Sequence, residues 1–163
     1  MDKTLILYYS LEKNTEKIAS HLAKELNVDI ERITPVKDIK PKGFSKYLTG
    51  GFQASFKVKP KLNPIQKNLD QYSNVIIGTP VWAGTISPSI YSLLEKGLIK
   101  DKNIAFFYTF KGGDKKTRDI IRKSVSKYNK LISIHSCLSV DQDFDNQKDK
   151  ALNWAKDLLN DNK

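Results

Sequence analysis

The chain has 163 residues, 39% apolar and 28% charged, with a formal net charge of +10. That length fits one domain able to bury its own core, and the balance excludes a disordered chain. The single cysteine, Cys137, excludes an intramolecular disulfide and suits a reducing compartment. The apolar run from Leu5 to Tyr9 is too short for a signal-peptide core or a membrane span, so a cytoplasmic protein is expected.

Thr4 to Tyr9 is a continuous apolar, β-prone run, the pattern of a strand buried on both faces. From Asn14 to Leu26 the period changes: Ile18, Leu22 and Leu26 recur every four residues beside Ala19 and Ala23, one face of an amphipathic helix. Val28 to Ile33 reads as a second strand, stopped by Thr34-Pro35. Residues 37–68 hold four prolines and glycines in their first half alone and form an elaborated connection, in which Phe44, Tyr47 and Leu48 suggest a short helix ending near Gly50-Gly51. Asn74 to Thr79 is a third strand, followed by a loop from Pro80 to Ile86. Ser87-Pro88 signals a helix start that buries Ile90, Leu93 and Leu94. Asn103 to Thr109 is a fourth strand; Asp114 is placed to cap a helix reaching about Tyr128. Leu131 to Val140 is a fifth strand, and a helix over about 146–159 buries Ala151, Trp154, Ala155 and Leu158.

Strand and helix alternate about five times, with no internal repeat. Such alternation predicts one α/β domain over 1–163, a doubly wound five-stranded parallel sheet with helices on both faces. In such sheets ligands bind beyond the carboxyl ends of the strands, where strand order reverses. Three loops leave those ends. Ser10-Leu11-Glu12-Lys13-Asn14-Thr15 offers hydroxyls, an amide and the open N–H groups of a helix start, a setting for a phosphate; the same residues also serve as an ordinary N-cap. Thr79-Pro80-Val81-Trp82-Ala83-Gly84-Thr85 carries a tryptophan that, if exposed, can stack on a planar heterocycle, or else packs on the core. Thr109-Phe110-Lys111-Gly112-Gly113 allows positive φ and exposed N–H groups, or is a plain strand-to-helix turn. Together the three suit a ligand with one phosphate and one flat ring system.

These residues carry a resemblance over nearly the whole chain. The sequence resembles the short-chain flavodoxin type, a flavodoxin-like FMN-binding family, whose sheet order is 2-1-3-4-5. Ile77 to Thr85 is the most specific match, to the second flavin loop. The resemblance implies FMN as cofactor, with its phosphate held by Ser10, Leu11, Glu12, Lys13, Asn14 and Thr15. It implies that Thr79, Pro80, Val81, Trp82, Ala83 and Gly84 line the ring system, and that Thr109, Phe110, Gly112 and Gly113 close the other side. The family's phosphate loop ends Thr-Gly-Asn-Thr; here Glu12 and Lys13 stand in place of its threonine and glycine. A carboxylate beside a dianionic phosphate is unfavourable unless a neighbouring cation offsets it or it turns to solvent.

The sequence also sets what else is expected. His21 and His135 have no cysteine or carboxylate at metal-ligand spacing, so structural roles and no metal are expected. Cys137 reads as a small buried strand residue. Asp141, Asp143 and Asp145 start like a calcium loop but lack its glycine and closing glutamate. Of the +10 net charge, +7 lies between Lys37 and Lys67, either a solvated lysine-rich face or a surface for anionic partners. The first functional expectation is an FMN electron carrier without catalytic side chains, serving a redox partner protein of acidic character. The alternatives are an FMN-dependent NAD(P)H oxidoreductase acting on quinones or other small acceptors, with Tyr47, Phe52 and Phe56 walling the pocket, and a non-flavin module using the basic segment. Nucleic acid is not expected as a partner, because a recognisable module and base-reading arginines are both lacking.

Overall fold

The computed structural model describes residues 3–37 and 59–160. Its strands are β1 (Thr4–Tyr8), β2 (Asp29–Arg32), β3 (Asn74–Trp82), β4 (Thr85–Ile86), β5 (Asn103–Phe110) and β6 (Lys130–Leu138). Its α-helices are α1 (Asn14–Leu26), α2 (Pro88–Glu95), α3 (Thr117–Val125) and α4 (Phe144–Asn160). A 3₁₀ turn, Leu69–Gln71, leads into β3. The expected short helix near Phe44 and the proposed wall residues Tyr47, Phe52 and Phe56 lie outside the described residues.

Five strands run parallel in the order β2-β1-β3-β5-β6, with β4 paired antiparallel to β3. This is the expected doubly wound order, with one short extra strand. All five residues of β1 are buried, as a strand between two neighbours and two helical layers must be. Alternate side chains enter opposite cores. Leu5, Leu7, Val75, Ile77, Ile104 and Phe106 meet Ile90, Leu93, Leu94, Ile121 and Val125 from α2 and α3. Ile6, Ile76, Ala105 and Phe107 meet Ile18, Ala19, Leu22, Ala151 and Ala155 from α1 and α4.

The helix ends follow local chemistry. Asn27 stops α1 in the left-handed region (φ 52°), and Val28 N–H closes back on Ala23 O at 3.1 Å, satisfying a last-turn carbonyl. Pro88 opens α2, where its missing N–H costs nothing. Two expectations change. Asp114 does not cap α3, which starts at Thr117; its carboxylate instead accepts the Tyr108 hydroxyl at 2.6 Å. The third strand does not stop at Thr79. It continues through Pro80 to Trp82, turns at Ala83 (φ 47°) and Gly84 (φ 78°), and returns as β4. Two successive positive-φ residues make the tight turn that matches strand twist, so Gly84 serves a hairpin.

After residue 58 the chain returns along the β2 edge. Leu62 bridges Pro35, and the Gln66 and Lys67 N–H groups donate to the Glu31 carboxylate. Two lysines of the basic stretch pair with acids, Lys67 with Asp29 at 2.6 Å and Lys59 with Glu95 at 3.5 Å. Among the described residues no helix is long and apolar enough to cross a membrane.

Candidate functional site

At the carboxyl ends of β1, β3 and β5, where strand order reverses, the chain encloses an open cavity of about 290 Å³. Ser10, Leu11, Glu12, Asn14, Thr15, Pro80, Val81, Trp82, Ala83, Thr109 and Phe110 line it, all expected from sequence; Lys111 and Val140 line it as well. Lys13, Thr79, Gly84, Gly112 and Gly113 are not among its lining residues.

The first loop is anchored at its start. Ser10 is buried, and its carbonyl accepts Arg32 Nη2 at 2.6 Å. Arg32 also reaches Glu16 in the first turn of α1 at 3.6 Å. Lys13 precedes the helix in the left-handed region (φ 67°), a backbone that glycine occupies at lower cost. No side chain caps α1, so its first N–H groups have no intrahelical or side-chain acceptor. Thr15 and Thr109, both in the cavity lining, join their hydroxyls at 2.8 Å, tying the first loop to the third.

The second loop departs from expectation in two side chains. Trp82 is not an exposed platform. It is 9% exposed and meets Tyr9 edge to face, with ring centroids 5.7 Å apart and planes at 84°. It belongs to the core and presents only a margin to the cavity. The Thr79 hydroxyl turns away, donating to Ser87 Oγ at 3.0 Å and accepting the Ser87 N–H, so Ser87 stands at the helix cap with its hydroxyl bound to Thr79. In the third loop Gly112 and Gly113 have no positive φ; a Cβ at either would meet no atom of the chain within 4 Å. Among the described residues no packing or backbone demand calls for glycine there.

A fourth wall, not singled out in the sequence, comes from the turn after β6. Ser139 N–H donates to Phe110 O at 2.7 Å, and Val140 is buried against the cavity. Lys111 Nζ meets Asp141 Oδ2 at 2.6 Å. Asp141 thereby holds the Lys111 ammonium above its usual range, and Lys111 holds the Asp141 carboxyl below its own. The signal was available in part: both residues follow strands predicted to end at this edge. Arg32 follows the same logic at the end of β2.

The other candidates lie elsewhere. Cys137 is fully buried on β6, and burial pushes its thiol up to about 12, the opposite of a nucleophile. His135 stacks on Trp154 with centroids 5.2 Å apart, and burial lowers its pKa. Asp143 accepts from Asn146 and Gln147, and Asp145 pairs with Lys148.

The cavity therefore has two chemistries. Hydroxyls, an amide and open helix N–H groups converge at the start of α1, the donor set for a phosphate. Leu11, Val81, Trp82, Phe110 and Val140 give an apolar and aromatic wall for a flat ring system. The residues present fit a flavin mononucleotide.

Solved structures share this fold. The chain's fold is similar to a flavoprotein of Lactobacillus acidophilus solved in complex with FMN, at 23% identity and TM-score 0.68, covering 90% of this chain and 99% of that one. It is similar to a candidate flavoprotein of Bacteroides uniformis, at 17% identity and TM-score 0.78, over 95% and 98% of the two chains. An archaeal flavodoxin aligns at 13% identity and TM-score 0.55, over 96% and 99%. No curated protein matches the chain by sequence. The family described as NADPH-dependent FMN reductase matches residues 3–145, nearly the whole described domain. With the fold, the loops and this match in agreement, the chain belongs to the NADPH-dependent FMN reductase family.

Proposed function

We propose that this FMN-binding, flavodoxin-like protein takes electrons from NAD(P)H through its flavin and passes them to a small acceptor. What supports the reading is the cavity that joins a phosphate donor set to an aromatic wall at one sheet edge, in a chain of the NADPH-dependent FMN reductase family. FMN, when bound, would supply the redox chemistry, a ring able to take up hydride and give up electrons. The chain's own residues bind and orient it. Ser10, Asn14, Thr15 and the first N–H groups of α1 take the phosphate. Leu11, Val81, Trp82 and Phe110 wall the ring system. Hydride transfer to a flavin asks for no side-chain acid or base, and none is assigned. The +10 net charge favours approach of a polyphosphorylated dinucleotide.

The test is anaerobic mixing of the FMN-loaded protein with NADPH or NADH while the visible flavin absorbance is followed. Saturable bleaching is expected. Bleaching by dithionite but not by either nucleotide would make the protein an electron carrier fed by a partner protein, with the same residues holding FMN. Failure of the purified protein to hold FMN would overturn the reading altogether.

Glu12 gives a second expectation. It is exposed yet lines the cavity, on the loop assigned to the phosphate. Glu12→Gln is expected to tighten FMN binding on the order of fivefold at low salt, with the gain shrinking as salt screens it. Fluorescence titration of the apoprotein measures this. Unchanged affinity would mean that the carboxylate stands in solvent away from the phosphate.

A further inference from the structure

Among the described residues that line the cavity, Lys111 is the one cation. Its placement is built by two elements. The third loop carries it, and the turn after β6 supplies both the backbone clasp, Ser139 N–H to Phe110 O, and the carboxylate of Asp141 at 2.6 Å. Glu12, on the first loop, also acts on the Lys111 charge. The Lys111–Asp141 pair thus joins the third loop to the turn after β6 at the cavity edge. Asp141 aims the ammonium and at the same time cancels part of its field.

We propose that Lys111, positioned by Asp141, sets how much more tightly the cavity holds the reduced flavin than the oxidised one. The inference rests on the FMN reading above. Reduction adds negative charge to the ring system that proton uptake does not fully cancel near neutral pH. A cation on the same wall favours the more negative form, and a carboxylate beside that cation discounts the gain. The ratio of the two affinities is the shift in midpoint potential on binding, so the pair acts as a tuning device separate from the groups that hold the phosphate. Both side chains are partly exposed, 59% for Lys111 and 34% for Asp141, so their replacement leaves the core packing intact.

The experiment measures the midpoint potential of bound FMN, and the affinity for oxidised FMN, in the wild type and in Lys111→Met, Lys111→Arg and Asp141→Asn. Lys111→Met is expected to lower the preference for reduced flavin by about tenfold, a fall of ~30 mV for a two-electron couple. Lys111→Arg restores the potential and Asp141→Asn raises it, and both shifts shrink with added salt. An unmoved potential in Lys111→Met with FMN still bound overturns the proposal. A fall in Asp141→Asn overturns the role given to Asp141. Absence of FMN binding in the wild type overturns the FMN reading instead, so the two failures are distinguishable.

Discussion

Trp82→Ala is expected to destabilise the folded protein by ~3–5 kcal/mol, the range for truncating a buried tryptophan. Its indole is 9% exposed, sits edge-on to Tyr9 and belongs to the same core as Ile86 and Ile90. Truncation leaves a void that the β3–β4 hairpin cannot fill without moving. The same change opens the cavity wall, so FMN affinity is expected to fall with stability. Urea unfolding of the apoprotein and FMN titration below the transition measure the two effects separately. Trp82→Phe keeps much of the packing and is expected to recover most of the stability. If the folded Trp82→Ala protein binds FMN as the wild type does, the indole is core alone and the flavin wall is made by Leu11, Val81 and Phe110.

Gly78→Ala is expected to cost ~1–3 kcal/mol or more through overpacking. A Cβ at Gly78 falls 2.3 Å from Phe107 Cζ and 2.7 Å from its Cε1. Phe107 is fully buried and sits directly across the ladder from Gly78, so its ring has no free space to enter. Glycine inside a strand here marks a close approach of side chain to backbone. The strain falls next to the site, because Gly78 O accepts the Tyr9 N–H and Pro80 lines the cavity two residues on. A lower thermal midpoint is expected, with partial rescue in Gly78→Ala/Phe107→Leu. A wild-type midpoint in the single variant would show that Phe107 has a second accommodating position.

Much of the fold was legible from local pattern. The four-residue recurrence of Ile18, Leu22 and Leu26 matches α1 at Asn14–Leu26. The division of β5 between two cores, Ile104, Phe106 and Tyr108 on one side and Ala105 and Phe107 on the other, follows from strand geometry alone. Loop chemistry was legible where it is contiguous, and so Ser10, Asn14, Thr15 and the 80–83 stretch were all named before they were seen to share one cavity. Proline misled at Pro80, which reads as the end of a strand but stands within β3, opposite Thr109. Gly84, read from sequence as part of a loop, makes the turn of the β3–β4 hairpin.

What the sequence by itself determined is the alternation of elements, the faces they bury and the loops that reach the carboxyl edge, because periodicity and turn chemistry act over a few residues. What only the tertiary structure decided is which side chains meet across loops. Arg32 on Ser10, Thr15 on Thr109 and Lys111 on Asp141 are separated by 22, 94 and 30 residues, and strand order alone makes them neighbours. The direction of a single side chain belongs to the same class. Trp82 turns into the core and Thr79 toward Ser87 because the β3–β4 hairpin and the start of α2 close over them, and no local pattern records that closure.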